Sequence, residues 1–389
     1  MSKIRVLHCP DIVGGNPQSL ARMERELGLA SWAVSFRQTL FSYQFDEILL
    51  KPLDGPGAYA FSTLGLFLKG VFFYDLIHYN FGRTIFPSQI VKRPKNNFLW
   101  WIAENLAKVF QMTDLPVFYW LGKGIAVTFQ GDDARQGDYS LEHFEISIAN
   151  KIESGYYTAE SDAEKRKVIE KFDRFADLIY YLNPDLGHVL PGRARFVPYA
   201  HVDLRDWKFV DSYPKPRPLI VHAPSHRGVK GTEVILRTIE RLQIEGMDFD
   251  FKLVEGISNK DARKIYEQAD LLIDQLYAGW YGGLALELMA LGKPVISYIR
   301  ESDLIFIPEK MRHELPVINA DAESLFEVLM FWLKDKEALI ETGRRSRRYV
   351  ENWHDPLVIA AQMKKDYQGV LLKKNFYNLI RKIRFLFEA

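Results

Sequence analysis

The 389-residue sequence lacks features that several large protein classes require. It contains one cysteine, Cys9, which excludes an intrachain disulfide and a cysteine-based zinc site and favours a reducing cytosol. The formal net charge is +1, so no global field attracts nucleic acid or other acidic partners. The amino terminus turns polar after about six residues, which is typical of a strand rather than a signal peptide.

Common catalytic motifs are absent as well. No Walker pattern of Gly, four residues and Gly-Lys-Ser/Thr occurs, which disfavours ordinary ATPase chemistry. No G-x-G-x-x-G follows the first predicted strand, and no G-x-S-x-G elbow is present, so a dinucleotide dehydrogenase and a serine hydrolase are disfavoured. No His, Asp and Glu cluster has metal-ligand spacing, so we predict no metal site.

No segment is apolar for long enough to predict a membrane-spanning helix. The best candidate, residues 58–77, is interrupted by Lys69 and Asp75, whereas a spanning helix needs about 20 apolar residues. Aromatic residues make up 14% of the chain, and many of them lie in residues 58–120. They indicate either ordinary core or a surface that meets lipid.

What the sequence does contain is a regular alternation of strand and helix patterns. Short β-branched runs alternate with helical periodicity, and a polar, proline-rich stretch divides the chain into two such blocks. Each block predicts a parallel sheet, and together they predict an α/β protein with two Rossmann-like domains facing a central cleft. The N-terminal domain is predicted at residues 1–205 and the linker at 206–218. The C-terminal domain is predicted at 219–355, followed by a crossover helix and a basic amphipathic tail at 356–389.

Residues 279–298, GWYGGLALELMALGKPVISY, predict a helix that is apolar all round, ends at Gly292 and carries Glu287 in its middle. A buried carboxylate is costly unless it is hydrogen-bonded. One ligand explains both features, with phosphate on the amides of Gly282 and Gly283 and sugar hydroxyls on Glu287. The alternative is a tight turn into a core helix, with Glu287 satisfied by a local backbone group.

Two further loops follow predicted strands of the second block. In residues 222–233, Arg227 and Lys230 precede a glycine and a predicted helix start. This combination suits the binding of a diphosphate. The alternative is a basic turn whose charges are solvated. In residues 254–261, Gly256 leaves room for a flat ring, although an ordinary turn explains it equally well.

The order of these features resembles the GT-B-fold retaining glycosyltransferases of glycosyltransferase family four, over nearly the whole chain. In the N-terminal half, PDIVGGNPQSLARMERELG resembles the glycine loop and helix of that family. YDLIHYNFG resembles its D-x-I-H-x-H-F-G strand end, and VTFQGDDAR resembles its T-x-H-G-S-D-x-R loop. ADLIYYLNPDLGHVLPGRARFVPYAHVD, at the end of the same half, matches the run into the linker. In the C-terminal half, APSHRGVKGTEVIL looks like the phosphate loop, and residues 279–298 match the glutamate motif.

The resemblance implies roles for individual residues. Three would be catalytic: Glu287 would bind the donor ribose hydroxyls, and Lys230 with Arg227 would hold the diphosphate. Residues expected to bind the donor or its phosphates are Gly14, Gly15, Ser225, Gly231, Glu255, Gly256, Gly282 and Gly283. Residues expected on the sugar and acceptor side of the cleft are His78, Gln130, Asp132, Asp133 and Arg135.

The chain departs from the family pattern at three places. Gly279 stands where the family has its first glutamate, and Gln130 stands where it has a histidine. Both positions usually touch the transferred sugar rather than the nucleotide. Ser225 stands where the family has an arginine, and Arg227 is a candidate substitute.

The function implied is a metal-independent, retaining hexosyl transfer from a nucleotide-diphosphate sugar to a glycan or lipid-linked acceptor, as in cell-envelope polysaccharide synthesis. The donor is a co-substrate, no cofactor is expected, and nucleic acid is not a partner. One alternative is a GT-B-like scaffold that binds nucleotide but has lost transfer, which is motivated by Gly279 and Gln130. Another is a nucleotide-sugar epimerase or hydrolase on the same fold.

The carboxyl-terminal stretch LLKKNFYNLIRKIRFLFEA, residues 371–389, predicts a basic amphipathic helix. Such a helix suits an anionic membrane surface, and it equally suits a terminal helix packed on the domains with a solvated basic face. We therefore expect a cytoplasmic protein that is peripheral on the inner face of the cell membrane if the first alternative holds.

Overall fold

The structure is a computed structural model. It describes residues 3–10, 14–37, 45–51, 54–86, 101, 105, 108–152, 155–211 and 215–388, with side chains as far as 375. Outside this range lie residues 11–13 of the predicted glycine loop, residues 212–214 of the predicted linker and the side chains of the predicted tail from 376 onward.

The N-terminal half forms a seven-stranded parallel sheet in the order β3-β2-β1-β4-β5-β6-β7. Its central strands β4 and β5 are buried along their whole length, because helices cover both faces of a parallel sheet. The strands are β1 Arg5–Cys9, β2 Ala30–Ser35, β3 Glu47–Ile48, β4 Leu76–Asn80, β5 Gly124–Phe129, β6 Leu178–Tyr181 and β7 Arg195–Phe196.

Helices connect these parallel strands, since each chain return must cross the sheet. Those with bounds in the described part of this half are α1 Asn16–Glu26, α2 Pro56–Phe73, α3 Asp114–Trp120, α4 Gly137–His143, α5 Ile148–Lys151 and α6 Ala159–Phe175, with a 3₁₀ turn at Pro184–His188.

The C-terminal half forms a five-stranded parallel sheet in the order β12-β11-β10-β8-β9. Two parallel-sheet domains confirm the predicted fold class. The strands are β8 Leu219–His222, β9 Asp250–Leu253, β10 Leu271–Ile273, β11 Val295–Ser297 and β12 Ile318–Asn319. The helices are α7 Arg227–Lys230, α8 Thr232–Ile244, α9 Asn259–Gln268, α10 Gly283–Ala290, α11 Glu309–Glu314, α12 Leu325–Lys334 and α13 Lys336–Trp353, with a 3₁₀ turn at Glu301–Phe306.

The chain crosses between the two sheets twice, once between β7 and β8 and once after α13. After the second crossing, α14 (Pro356–Glu388) packs on α1 and joins the core of the first sheet through Met363 and Tyr367. The two crossings are bonded to each other, because His354 Nδ1 donates to the carbonyl oxygen of Tyr199 at 2.9 Å. Within the described residues, no helix combines the length and apolar character needed to cross a bilayer.

Candidate functional site

The strongest cluster of predicted site residues lies where α10 begins. Lys230 Nζ donates to Asp274 Oδ1 at 2.7 Å, and the backbone N–H of Gly282 donates to Asp274 Oδ2 at 2.6 Å. A Cβ atom at Gly282 would lie 3.0 Å from the lysine Nζ. The structure therefore brings the predicted phosphate-loop lysine and the predicted glycine turn together.

The topology explains this meeting. Strands β8 and β10 are neighbours in the sheet, so the loops that follow them share its carboxyl edge. Lys230 ends the short helix after β8, and Gly231 then turns the chain with φ +78°. A Cβ at Gly231 would press on Leu276 and Tyr277 at 3.3 and 3.2 Å, so the close approach requires glycine.

Asp274 is the residue of this cluster that the sequence analysis missed. It directly follows β10 and is buried. The side chain of Lys230 is only 10% exposed, and a buried ammonium needs such a partner. The signal available in the sequence was a lone acid ending an apolar strand, on the same predicted sheet edge as Lys230.

Glu287 lies one turn inside α10, beside the crossing between the two sheets. Its Oε1 is 3.9 Å from His201 Nε2, and that nitrogen donates to the carbonyl oxygen of Gly283 at 3.1 Å. Among the described residues no hydrogen bond reaches the Glu287 carboxylate, and 19% of the side chain is exposed. The alternative that a local backbone group satisfies Glu287 is therefore not what the structure shows.

Burial perturbs both groups of this pair. It raises the pKa of the Glu287 carboxyl to about 8, against a smaller lowering by the charge of Arg263. It lowers the pKa of His201 to about 4, although the bond to Gly283 opposes the shift. At neutral pH His201 is a neutral hydrogen-bond donor to Gly283, so the 3.9 Å contact with Glu287 is not an ion pair.

The glycine turn of the first sheet reaches the same place. Gly14 and Gly15 have φ of +69° and +77°, and the latter precedes α1. A Cβ at Gly14 would lie 3.9 Å from Gln130 Oε1. Asn16 Oδ1 accepts a bond of 2.7 Å from the N–H of Ala200, the neighbour of His201. The start of α1 and the start of α10 therefore meet across the 200–201 segment.

Several buried side-chain atoms near this junction have no partner among the described residues, among them Nδ1 of His201, Nε2 of Gln130 and the amide atoms of Gln18. Buried polar atoms in native proteins are nearly always hydrogen-bonded, so each such exception calls for an explanation.

Hydrogen bonds and ion pairs of its own charged residues stabilise the loop that follows β5. Asp133 accepts bonds from the N–H groups of Gln130 at 3.0 Å and Gly131 at 2.7 Å, and burial raises its pKa to about 7. Arg135 forms an ion pair with Asp132 at 2.7 Å, so both charges are neutralised by partners within the chain. The other partners are Asp185 on Arg135 and the hydroxyls of Tyr156 and Tyr157 on Asp132. Contact of this loop with a sugar stays a prediction.

His78 is placed differently from the expectation. It lies on β4 with no exposed surface, and its two ring nitrogens lie 2.7 Å from the hydroxyls of Tyr367 and Thr128. No donor or acceptor remains for a sugar. The expectation for His78 is corrected: it is a core residue that joins the first sheet to α14.

Arg227 is also engaged differently from Lys230. Its guanidinium forms two bonds to Glu255, at 2.9 and 2.8 Å, and one of 2.9 Å to Glu233, all at the surface. A joint grip on a diphosphate would require Arg227 to leave Glu255. Ser225 and Gly256 are exposed nearby, and Gly256 has φ +67° with open space around it.

Arg300, in the segment that follows β11, lies against Gly279, where the resemblance leads one to expect a glutamate. Gly279 has φ +79°, and a Cβ there would lie 2.6 Å from Nη1 of Arg300. Arg300 is buried, pairs with Asp303 at 2.7 Å and donates to the carbonyl oxygen of Ile146 at 2.6 Å. A guanidinium therefore covers this glycine. In the described part of the chain, no three His, Cys, Asp or Glu side chains form a group that would hold a metal ion.

No protein-family model matches the sequence, and no curated protein matches it either. Solved structures do. Sucrose-phosphate synthase from Thermosynechococcus elongatus is 16% identical with a TM-score of 0.60, and the match covers 96% of this chain and 100% of that one. HepE from Anabaena, in complex with UDP-glucose, is 11% identical with a TM-score of 0.56 over 94% and 100% of the two chains.

A glycosyltransferase from Rickettsia africae is 12% identical with a TM-score of 0.56, over 95% of this chain and 99% of that one. Identities this low carry the fold alone. Together with the two parallel sheets, they show that the chain has the GT-B fold.

Proposed function

We propose that this protein is a glycosyltransferase whose donor is a nucleotide-diphosphate sugar. The observation that supports this most is the cluster at the start of α10. There Lys230, the first N–H groups of the helix and Glu287, whose carboxyl group has no hydrogen bond among the described residues, lie at the carboxyl edge of the second sheet. The UDP-glucose in the structure of HepE, a protein of the same fold, supports this class of donor.

Lys230 and the start of α10 suit the diphosphate. An ammonium has three donors, and Asp274 uses one of them, so two remain for phosphate oxygens. The first N–H groups of a helix have no partner within the helix, and at α10 they belong to Gly283 and Leu284, both partly exposed. We assign Asp274 a positioning role, because it holds Lys230 beside these amides.

Glu287 suits the pentose. It lies about one turn beyond the amides, and it is the carboxylate of this cluster that lacks a hydrogen-bond partner. Two neighbouring hydroxyls of a ribose would donate to its oxygens and replace the solvation that burial removes. Donor binding would then lower the raised pKa of Glu287 and fix the ionised form.

In the proposed reaction, the bond between the anomeric carbon and the diphosphate oxygen breaks, and an acceptor hydroxyl forms the new bond on the same face. The acceptor proton passes to the leaving phosphate. Charge develops on the diphosphate in the transition state, where Lys230 and the α10 amides would stabilise it without a metal ion. Removing one such donor costs about 2.7–4 kcal/mol in a well-studied enzyme.

For the acceptor we propose a glycan or lipid-linked saccharide of the cell envelope, reached from the cytoplasmic side of the membrane. The basic sequence of residues 371–389 supports a site of action at an anionic surface. The donor is a co-substrate in this proposal, which includes no cofactor.

The test is turnover of a panel of labelled nucleotide sugars, with and without membrane extract. We expect slow release of sugar alone and faster consumption with acceptor, and Lys230→Ala should lower turnover by about 100-fold or more. Lys252→Ala, at an exposed position of β9, is the matched control and should leave turnover unchanged.

Three results would contradict the proposal. Binding without turnover of any donor would identify a scaffold, and sugar release or epimer formation that ignores acceptor would identify a hydrolase or epimerase. Near-normal turnover in Lys230→Ala would remove Lys230 from the site.

A further inference from the structure

Helix α2 carries two apolar faces, and no described residue covers one of them. Thr63, Leu66 and Gly70 are buried against the domain. The opposite side exposes a row at helical spacing, which we call the outer face of α2: Phe61, Leu64, Leu68 and Phe72. Phe61 is 79% exposed and Phe72 is 66% exposed.

This arrangement is unusual for a helix in contact with water. Surface helices normally carry polar residues outward, and a helix that is apolar all round is normally buried. Lys69 is the one charged residue between Pro56 and Phe73, and it pairs with Glu47 at 2.7 Å. The outer face of α2 alone exposes on the order of several hundred Å², a size that marks an interaction site on a soluble domain.

A second group of exposed aromatic side chains lies at the carboxyl end of α3, which meets the carboxyl end of α2. Lys123, just beyond α3, donates to the carbonyl oxygen of Tyr74 at 2.6 Å, which joins the carboxyl ends of α2 and α3. Next to this junction Trp120 is 80% exposed and Tyr119 is half exposed. Tryptophan and tyrosine are the side chains enriched where a membrane meets water.

The basic end of α14 arrives at the same place. Lys374 Nζ lies 5.2 Å from the ring centroid of Tyr119 and 3.0 Å from Asp177 Oδ2. From this point the helix continues to Glu388. In residues 371–388 the sequence places five cations against one acid: Lys373, Lys374, Arg381, Lys382 and Arg384 against Glu388.

We propose that the outer face of α2, with Trp120 and the basic end of α14, docks on an anionic lipid bilayer. Apolar and aromatic side chains would enter the boundary between headgroups and acyl chains, and the exposed cations, beginning with Lys373, would meet the lipid phosphates. A second copy of the chain is a poorer occupant, because it would bring two basic tails together.

Helix α2 runs antiparallel to the strands that it connects, so it begins near the carboxyl edge of the sheet. A bilayer lying along its length would therefore lie close to the rim of the cleft. The proposal does not rest on the donor site, and UDP binding by the same variants separates the two.

The experiment is sedimentation of the full chain with vesicles, either phosphatidylcholine alone or phosphatidylcholine mixed with phosphatidylglycerol. We expect binding to the anionic vesicles that weakens with salt, and little binding to phosphatidylcholine alone. The double variant F72S/W120S should lower the partition coefficient about tenfold or more, because two large apolar side chains no longer enter the bilayer. Lys373→Glu should lower it about fivefold or more.

Ile244→Ser is the matched control, since Ile244 is 79% exposed in the other domain at the end of α8. It should leave partitioning unchanged, and circular dichroism should confirm that all variants are folded. Wild-type protein that stays in solution with anionic vesicles at low salt would overturn the proposal. The proposal would also be overturned if F72S/W120S bound vesicles as well as wild type does. A wild-type dimer that forms without vesicles and is lost in F72S/W120S would overturn it as well.

Discussion

Replacing Glu287 with glutamine should make the folded protein more stable at neutral pH while it weakens donor binding. The carboxyl has a pKa near 4.5 when it is free and about 8 in the folded chain, because burial disfavours its charge. Folding therefore takes up a proton between these two values. The contribution to stability is complete below about pH 4.5 and is lost as the pH rises through 8.

The magnitude follows from the two pKa values. Ionisation of Glu287 penalises folding by about 1 kcal/mol near pH 5 and by about 4 kcal/mol near pH 7.5. These are upper bounds, because 19% of the side chain is exposed and solvent screens its charge. Glutamine has the same shape and no charge, so the unfolding free energy of Glu287→Gln should exceed that of wild type by an amount that grows with pH.

The assay is urea unfolding of both proteins at matched pH values between 5 and 8. Only the difference between the proteins is interpreted, because buried histidines with lowered pKa values that lie away from residue 287, such as His222, contribute equally to both. Glu240→Gln, at an exposed position of α8, is the control and should give no pH-dependent difference. The reasoning is refuted if Glu287→Gln is no more stable than wild type at pH 7.5, or if the difference does not change with pH.

Two further substitutions test the surroundings of this cluster. Asp274→Asn should lower the unfolding free energy by roughly 3–5 kcal/mol, because it leaves the buried Lys230 ammonium without its counter-charge. Added UDP should restore part of the loss in a thermal melt, and an unchanged melting temperature would contradict this reasoning. Gly279→Ala should lower the free energy of unfolding in urea by roughly 1–3 kcal/mol, because φ is +79° and the new methyl group would meet Arg300. A variant as stable as wild type would show that the Arg300 side chain moves aside without cost.

The architecture could be predicted from the sequence because the type of each strand or helix depends on the local spacing of apolar residues. Apolar β-branched runs alternating with helical spacing require parallel sheets, and both sheets form as expected. Helix α10 and its termination near Gly292, which has φ +82°, follow from the residues themselves. The meeting of Lys230 with the glycine turn was predictable as well, because adjacent parallel strands end at one edge.

Side-chain partners were harder to predict, since they come from distant parts of the chain. Asp274 lies 44 positions from Lys230, and nothing in the local pattern separates it from an ordinary polar strand end. His78 was expected beside the sugar through the family resemblance, but its ring is bonded to Tyr367, 289 positions away in the sequence. Arg300 fills the space above Gly279 for the same reason, as a contact made only in three dimensions.

The bond between His354 and Tyr199 has a mechanical consequence. Two chain segments that run between the lobes and are fastened to each other act as one hinge, with the axis passing through the fastened point. Any opening of the gap between the lobes would then be a rotation about that axis, and the start of α10, only a few residues from Tyr199 through His201, would move least. Lys230 and Glu287, which belong to the same domain, would keep their spacing throughout the swing.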